Sequence, residues 1–451
     1  MNVTGIDIGT TTVCAVVVDS VSGKTLKTVT EPNDTSINSG YPFERIQQPD
    51  LILNKCVRML DGIFKEFPDI SAVGVTGQMH GILYCDDDGN AVSPLYTWQD
   101  ESGNRPYDGE MSFADSLSRL TGYNMASGYG CTTYYYHLIS KRVPENAAFF
   151  CTVHDYVVMK LTKRKRPLTH TSDAASLGLF DLKNLRFDKD AVKNAGLDIS
   201  LFPDVTNGFI VAGEYRGVPV SVAIGDNQAS FLGSVRDMKN GVLVNLGTGG
   251  QISYLTDELD VSTLEVRPCF LDKYISVGPS LCGGRAFAML EGFLRSCAEF
   301  VTGEKIKSAY PAIDAYLKNE REMSDFPVVS TLFAGTRKEP SRRGKIENIG
   351  LYNLTPEGLI TGFMEGIADE LYDMYVSSPH GERTVMTGSG NGLRKNAALR
   401  RVFEKKFDMK MLVPENTEEA SFGAALFAMT ASHIKKSIFE AQELISYNER
   451  I

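Results

Sequence analysis

Residues 3–19 read VTGIDIGTTTVCAVVVD, and the way this stretch folds organises the rest of the chain. Two β-rich runs, Val3 to Ile8 and Val13 to Asp19, flank a turn of one glycine and three threonines, which predicts a strand, a tight turn and a returning strand. Backbone N–H groups and hydroxyls crowd that turn beside one carboxylate, Asp7, a set suited to phosphate oxygens and a hydrated Mg²⁺. An ordinary hairpin with a polar turn reads the same way.

The 451 residues exceed one typical core and predict two or three domains. With 43% hydrophobic and 23% charged residues, the composition is that of a globular protein. No apolar run is long enough to span a bilayer and no basic-then-apolar leader opens the chain, so neither a membrane span nor a signal peptide is expected. A net charge of −10 argues against nucleic acid and anionic membranes and favours small-molecule partners. The basic cluster Lys163 to Arg166 reads as a solvated hairpin turn. Eight cysteines without a CxxC pair read as reduced core thiols of a cytoplasmic protein, and six dispersed histidines give no zinc spacing.

Downstream of the hairpin, Leu53, Val57, Leu60, Phe64 and Phe67 fall on one face of a helix over 51–67. Residues 72–75 then read as a strand ending in the loop 76–81, and ligands sit at strand ends in α/β sheets. Gln78 and His80 are therefore candidates for substrate contact, with a hydrogen-bonded scaffold histidine as the alternative. Trp98, the single tryptophan, precedes Gln99 and Asp100; indole beside amide and carboxylate suits a sugar, and suits a core equally well. The stretch 171–181, TSDAASLGLFD, reads as a loop with helix-capping groups. After a buried strand, 218–224, and a break at Gly225, Asp226 opens a helix either as its N-cap or as a catalytic base.

At residues 240–257 the opening design returns: NLGTGGQIS stands where DIGTTTVCA stood. A repeat of this kind implies two domains of one design, read here as 1–235 and 236–451, each offering a hairpin loop to a nucleotide. Neither loop has the GK[ST] of a P-loop. Gly283-Gly284 then opens a helix with Phe287, Leu290, Leu294, Cys297 and Val301 at helical spacing, the glycines letting its N-terminus approach a ligand or simply starting it. A second amphipathic helix covers 359–376. A strand over 384–387 runs into the glycine-rich 388–392 and a basic helix, and EEASFGAALFAMTA predicts a closely packing small-residue helix near the end.

Six ordered stretches over roughly 390 residues together resemble the FGGY carbohydrate kinases: GIDIGTTT, GQMHG (77–81), TWQD (97–100), IGDNQAS (224–230), NLGTGGQIS (245–253) and TGSGNGLRKN (387–396). The resemblance implies an α/β, two-domain actin-like (ribonuclease H-like) fold with a deep interdomain cleft, and an ATP- and Mg²⁺-dependent kinase of a primary hydroxyl. GQMHG points to ketoses. TWQD, LCGG (281–284), SGNGLRKN and the compact length are most similar to the sedoheptulose kinases, with xylulose or another ketose or polyol as alternative acceptors. Asp226 would be the general base. Gln78, Met79, His80, Trp98, Asp100 and Asn227 would hold the sugar. Thr10, Thr11, Thr12, Gly247, Thr248 and Gly249 would face the phosphates, with Gly284, Gly388, Gly390 and Asn391 against the nucleotide, and Asp7 with Asp226 at the metal. In relatives Gly-Arg commonly follows WQD or WND; here Glu101 and Ser102 follow, and Arg105 is displaced. A homodimer is compatible with this reading. A non-catalytic nucleotide switch on the same fold is the alternative class, and it has no use for GQMHG, TWQD and GDNQ together.

Overall fold

In the computed structural model, which describes residues 1–318, 323–336, 339 and 341–448, the opening stretch is a hairpin. Strands β1 (Asn2–Ile8) and β2 (Thr12–Asp19) pair antiparallel from Asn2 opposite Asp19 to Ile8 opposite Val13. Nearly every residue of both strands is buried, because covered sheet faces leave no polar side for alternation. Beyond β2 lies β3 (Thr25–Pro32), whose alternating burial marks the sheet edge. On the other side β4 (Ile70–Gly77) runs parallel to β1, followed outward by β5 (Val211–Tyr215) and β6 (Val218–Ser221) in the order β5-β6-β4-β1-β2-β3. The two-residue β7 (Ile224–Gly225) also joins β4, so the strand predicted over 218–224 is broken in two.

Helix α1 (Pro49–Glu66) buries Ile52, Cys56, Met59, Leu60 and Ile63. The predicted face lay one residue further on. Both stripes are apolar and share Leu60, and periodicity alone does not choose between them. Helix α2 (Val153–Leu161) is buried almost all round, and the basic cluster after it turns from helix to strand and not, as expected, between two strands. An aromatic-rich core that includes Tyr84, Tyr134, Phe150, Phe180, Phe187 and Phe202 fills the region between 82 and 202. Helix α3 (Asp226–Ser234) follows β7 directly.

The second sheet repeats the plan. β8 (Gly241–Leu246) and β9 (Gly250–Thr256) form an antiparallel hairpin, continued by β10 (Glu265–Phe270) and β11 (Lys273–Ser280). β12 (Val385–Ser389) lies parallel to β8, and β13 (Lys410–Leu412) beyond it closes the order β10-β11-β9-β8-β12-β13. In both sheets a central strand has a hairpin partner on one side and a parallel neighbour ending in a glycine-bounded loop on the other. Helix α4 (Gly283–Thr302) buries Ala286, Leu290 and Glu291 with Phe287 and Leu294 against the core, while Cys297 and Val301, expected on the packed stripe, are exposed. Helices α5 (Pro356–Val376) and α6 (Ala397–Phe407) complete this core. No helix among the described residues is long and apolar enough to cross a membrane.

The chain then returns to the first sheet in α7 (Glu419–Ala431). The chain divides into a first unit of Met1–Arg236, Arg267–Tyr274 and Glu418–Ser446, and a second made of the described residues of Asp237–Val266, Ile275–Thr417 and the stretch from Tyr447 on. A contiguous division at 235/236 thus leaves two segments of the first unit in the wrong half. The reason for α7 is steric. A Cβ on Gly5 would lie 1.8 Å from the Ser421 carbonyl oxygen, and one on Gly74 would lie 1.9 Å from that of Ala424. Glycine in β1 and β4 lets the helix backbone rest on the sheet.

Candidate active site

Three parallel strands of the first unit end side by side. Ile8 pairs with Gly77, and Gly225 pairs with the same Gly77. The turn after β1, the loop after β4 and Asp226 after β7 therefore emerge at one sheet edge, where an α/β sheet presents ligand groups. The Gln78 N–H donates to the Ile8 carbonyl at 2.9 Å and locks loop to strand.

Asp7, the penultimate residue of β1, and Asp226, the first of α3, are both partly buried. Burial, then the Asp226 and Glu418 carboxylates, push the Asp7 carboxyl up to about 7 against the pull of His154. Asp226 rises to about 6, again through burial first, while His154, Arg267 and the Asn227 N–H favour its ionised form. A concentration of carboxylates at a strand end is costly without a cation.

Around the first turn, the Trp98 indole N–H donates to Thr10 Oγ1 at 2.9 Å, Thr10 Oγ1 lies 3.4 Å from Gln78 Oε1, and Gln47 Nε2 donates to the Thr10 carbonyl at 3.0 Å. The Thr10 hydroxyl is thus committed to Trp98 and Gln78, whereas Thr11 and Thr12 are exposed. Gln78 is buried, its amide donating to Gln47 Oε1 at 2.8 Å, and Met79 is buried under Gly225. His80 is different: it takes φ 73°, stacks its ring on Tyr129 at 4.8 Å, and is partly exposed. Trp98 is 47% exposed, which settles its core reading in the negative. Asn227 carries a buried Oδ1 with no hydrogen-bond partner, a polar atom in need of a donor.

Asp100 departs from the expectation. Its side chain is buried and accepts the N–H groups of Arg45 at 3.2 Å and Ser102 at 2.9 Å. It is a scaffold that joins two loops, with its carboxyl raised by burial. Arg105 lies over the Phe43 ring, 4.8 Å from its centroid.

Sequence reading missed a buried polar layer behind these residues. His154 Nε2 lies 2.8 Å from Asp173 Oδ2, both fully buried, and Thr152 Oγ1 donates to the same oxygen at 2.8 Å. Burial opposes the His154 imidazolium, yet Asp173, Asp155 and Asp226 outweigh it and push the ring up to about 9. A positive charge thus stands behind the two site carboxylates. Ser172 Oγ accepts the Gly225 N–H at 3.2 Å and its carbonyl accepts from Gln228 Nε2 at 3.2 Å, which fixes the junction bearing Asp226. The only signal for this layer was the cluster of Ser, Thr and Asp in 171–176, which reads equally as helix caps.

In the second unit the turn 247–249 sits on the start of α4. The N–H groups of Gly284 and Arg285 donate to the carbonyls of Gly247 and Thr248, both at 2.9 Å. A Cβ on Gly284 would come within 2.4 Å of the Gly247 oxygen, so this glycine supports the turn and its N–H is committed there. Gly388 packs on the flexible Met411 side chain, whose Sδ would lie 2.5 Å from a Cβ and would have to swing aside. Gly390, at φ 79°, is required by the Leu246 carbonyl, also at 2.5 Å. Thr248 and Asn391 are exposed.

Residues 2–233, just over half of the chain, match the N-terminal domain model of the FGGY family of carbohydrate kinases. Mouse sedoheptulokinase is 26% identical over 467 aligned residues, covering 94% of this chain and 96% of the mouse protein. Xylulose kinase of Staphylococcus xylosus is 22% identical over 481, covering 100% and 95%. Among solved structures, xylulose kinase from Rhodospirillum rubrum superposes with a TM-score of 0.84 at 20% identity, covering 100% of this chain and 94% of the other. Plasmodium falciparum glycerol kinase with ADP gives 0.81 at 16%, covering 98% and 92%. These structures share the two-domain actin-like fold. The chain belongs to the FGGY family of carbohydrate kinases and is a phosphotransferase acting on an alcohol group of a sugar.

Proposed function

We propose that the protein transfers the γ-phosphoryl group of ATP to a primary hydroxyl of a ketose, with sedoheptulose as the first candidate. The observation that carries this reading is the meeting of Asp226, His80 and the Thr10–Trp98 pair on elements that leave one sheet edge. The loop GQMHG and the mouse and human sedoheptulokinase relatives support the choice of acceptor. Xylulose is the second candidate, from a relative whose alignment spans the whole chain.

Asp226, held by the Ser172 contacts, would accept the proton of the attacking hydroxyl as its oxygen bonds to the γ-phosphorus and the bond to the β-phosphate oxygen breaks, releasing ADP. With its carboxyl at about 6, Asp226 is mostly ionised at neutral pH and close enough to it for a general base. His80, Trp98 and Asn227 would contact the sugar, with Gln78, Met79 and Asp100 holding them. Amides of the turns 9–12 and 247–249 would meet the phosphates, and Gly388, Gly390 and Asn391 the adenosine. The partly buried carboxylates of Asp7 and Asp226 are hard oxygen donors. Among the described residues no three His, Cys, Asp or Glu side chains close a metal cage, so these two suit an ion held largely through water and phosphate, as Mg²⁺ is. Bound there, it would neutralise phosphate charge; phosphoryl transfer otherwise asks the protein mainly for alignment.

A coupled ADP-release screen over sedoheptulose, xylulose, ribulose, gluconate, fructose and glycerol tests the proposal. Sedoheptulose should give the highest kcat/KM. A preference for gluconate or glycerol would overturn the ketose assignment.

A further inference from the structure

His80 is held at two points by Ser176 and at a third by Tyr129. Its N–H donates to Ser176 Oγ at 3.1 Å, and its ring Nδ1 lies 2.7 Å from the Ser176 carbonyl oxygen. Ser176 Oγ in turn donates to Asp173 Oδ1 at 3.3 Å, and Asp173 Oδ2 takes Thr152 and His154. Tyr129 lies parallel to the imidazole, 7° between planes, and fixes the ring's rotation.

A carbonyl oxygen only accepts, so the nitrogen facing it must carry hydrogen. Neutral imidazole has one N–H. We infer that His80 is locked as the Nδ1–H tautomer by Ser176, so that Nε2 carries the lone pair and selects an acceptor sugar presenting a hydroxyl O–H, not a keto oxygen, at that point. The cost of the left-handed backbone at His80, where a side chain is strained, is offset by the same Ser176 bonds. Ser176 is therefore a positioning residue, anchored by the buried Asp173, and the chain of hydrogen bonds from His80 to His154 stiffens it further. Selection of a hydroxyl donor rests on the sugar-kinase reading; the tautomer does not.

The tautomer is read by ¹⁵N NMR of histidine-labelled protein without sugar, at about pH 9 where an ordinary histidine is neutral. The His80 signals are assigned by their loss in His80→Ala. A protonated Nδ1 with a bare Nε2 is expected; protonated Nε2 with bare Nδ1 would overturn the inference. Ser176→Ala leaves the His80 N–H without its acceptor and should raise the sugar KM about tenfold with little change in kcat, while Ser176→Thr restores it. An unchanged KM in Ser176→Ala would remove Ser176 from the role.

Donor selection is read with deoxy and deoxyfluoro analogues of an accepted sugar. At one hydroxyl both replacements should cost about tenfold in kcat/KM, and His80→Ala should abolish that difference. A position where fluorine is tolerated, hydrogen is not, and His80→Ala abolishes the distinction would show His80 donating instead. Should no ketose be phosphorylated, the ketose proposal falls while the NMR result still decides the tautomer.

Discussion

Asp226 concentrates two opposing demands. Its carboxyl is pushed up to about 6, and that of Asp7 to about 7, mainly by burial. Both exceed the value of an unfolded aspartate, about 4, so between pH 4 and these values the folded state binds more protons. Stability therefore falls as pH rises through that window, and the full cost of the ionised pair is present above pH 7. Asp226→Asn should melt higher than the native chain at pH 8 in the absence of nucleotide and divalent ion, a gain that shrinks toward pH 4; scanning calorimetry at both pH values reads it. Turnover should move the other way, with Asp226→Ala losing about 10²- to 10⁴-fold while still binding ATP in a calorimetric titration. Near-native turnover would remove Asp226 from the role of base. Trp98, half-exposed and bonded to Thr10, is a natural reporter: saturating sugar should change its fluorescence, and a silent titration would count against its place in the site.

Helix α7 shows how an element can be decided by what it touches. Eleven of its thirteen residues are buried, so its pattern has no polar face to orient it. Orientation comes from backbone-to-backbone approaches: besides Gly5 and Gly74 on the strands, a Cβ on Gly423 would lie 1.8 Å from the Ala229 carbonyl of α3. Gly74→Ala should lower the unfolding free energy by about 3 kcal/mol in urea, at the upper end of ordinary overpacking, because the obstructing atom is main chain and has no rotamer to retreat into. A loss under 0.5 kcal/mol would mean the helix can slide. The small residues of EEASFGAALFAMTA announced close packing; the surface it packs on could not be read from them.

At the scale of the molecule, the first unit draws on three separate parts of the chain. Residues 1–236 alone lack α7, and with it the cover of β1 and β4. Expressed without the rest, that fragment should fail to give a cooperative thermal transition, and joining 418–446 to it through a flexible linker should restore one. A cooperative 1–236 fragment would show the cover to be dispensable. The duplicated hairpin announced two units of one plan, and the two sheets share its centre: β1 and β8 each have an antiparallel hairpin partner on one side and a parallel neighbour on the other.

Local chemistry was enough to find both hairpins, the loop after β4 and Asp226 at a helix start, because turns, strand ends and helix starts leave glycine, threonine and carboxylate signatures within a few residues. Tertiary structure alone turned Asp100 inward, drew the Thr10 hydroxyl to Trp98, and brought Asp173 and Ser176 behind His80. Burial and hydrogen-bond direction depend on groups far apart in the chain, and His80 and Ser176 are separated by 96 positions that no local pattern spans.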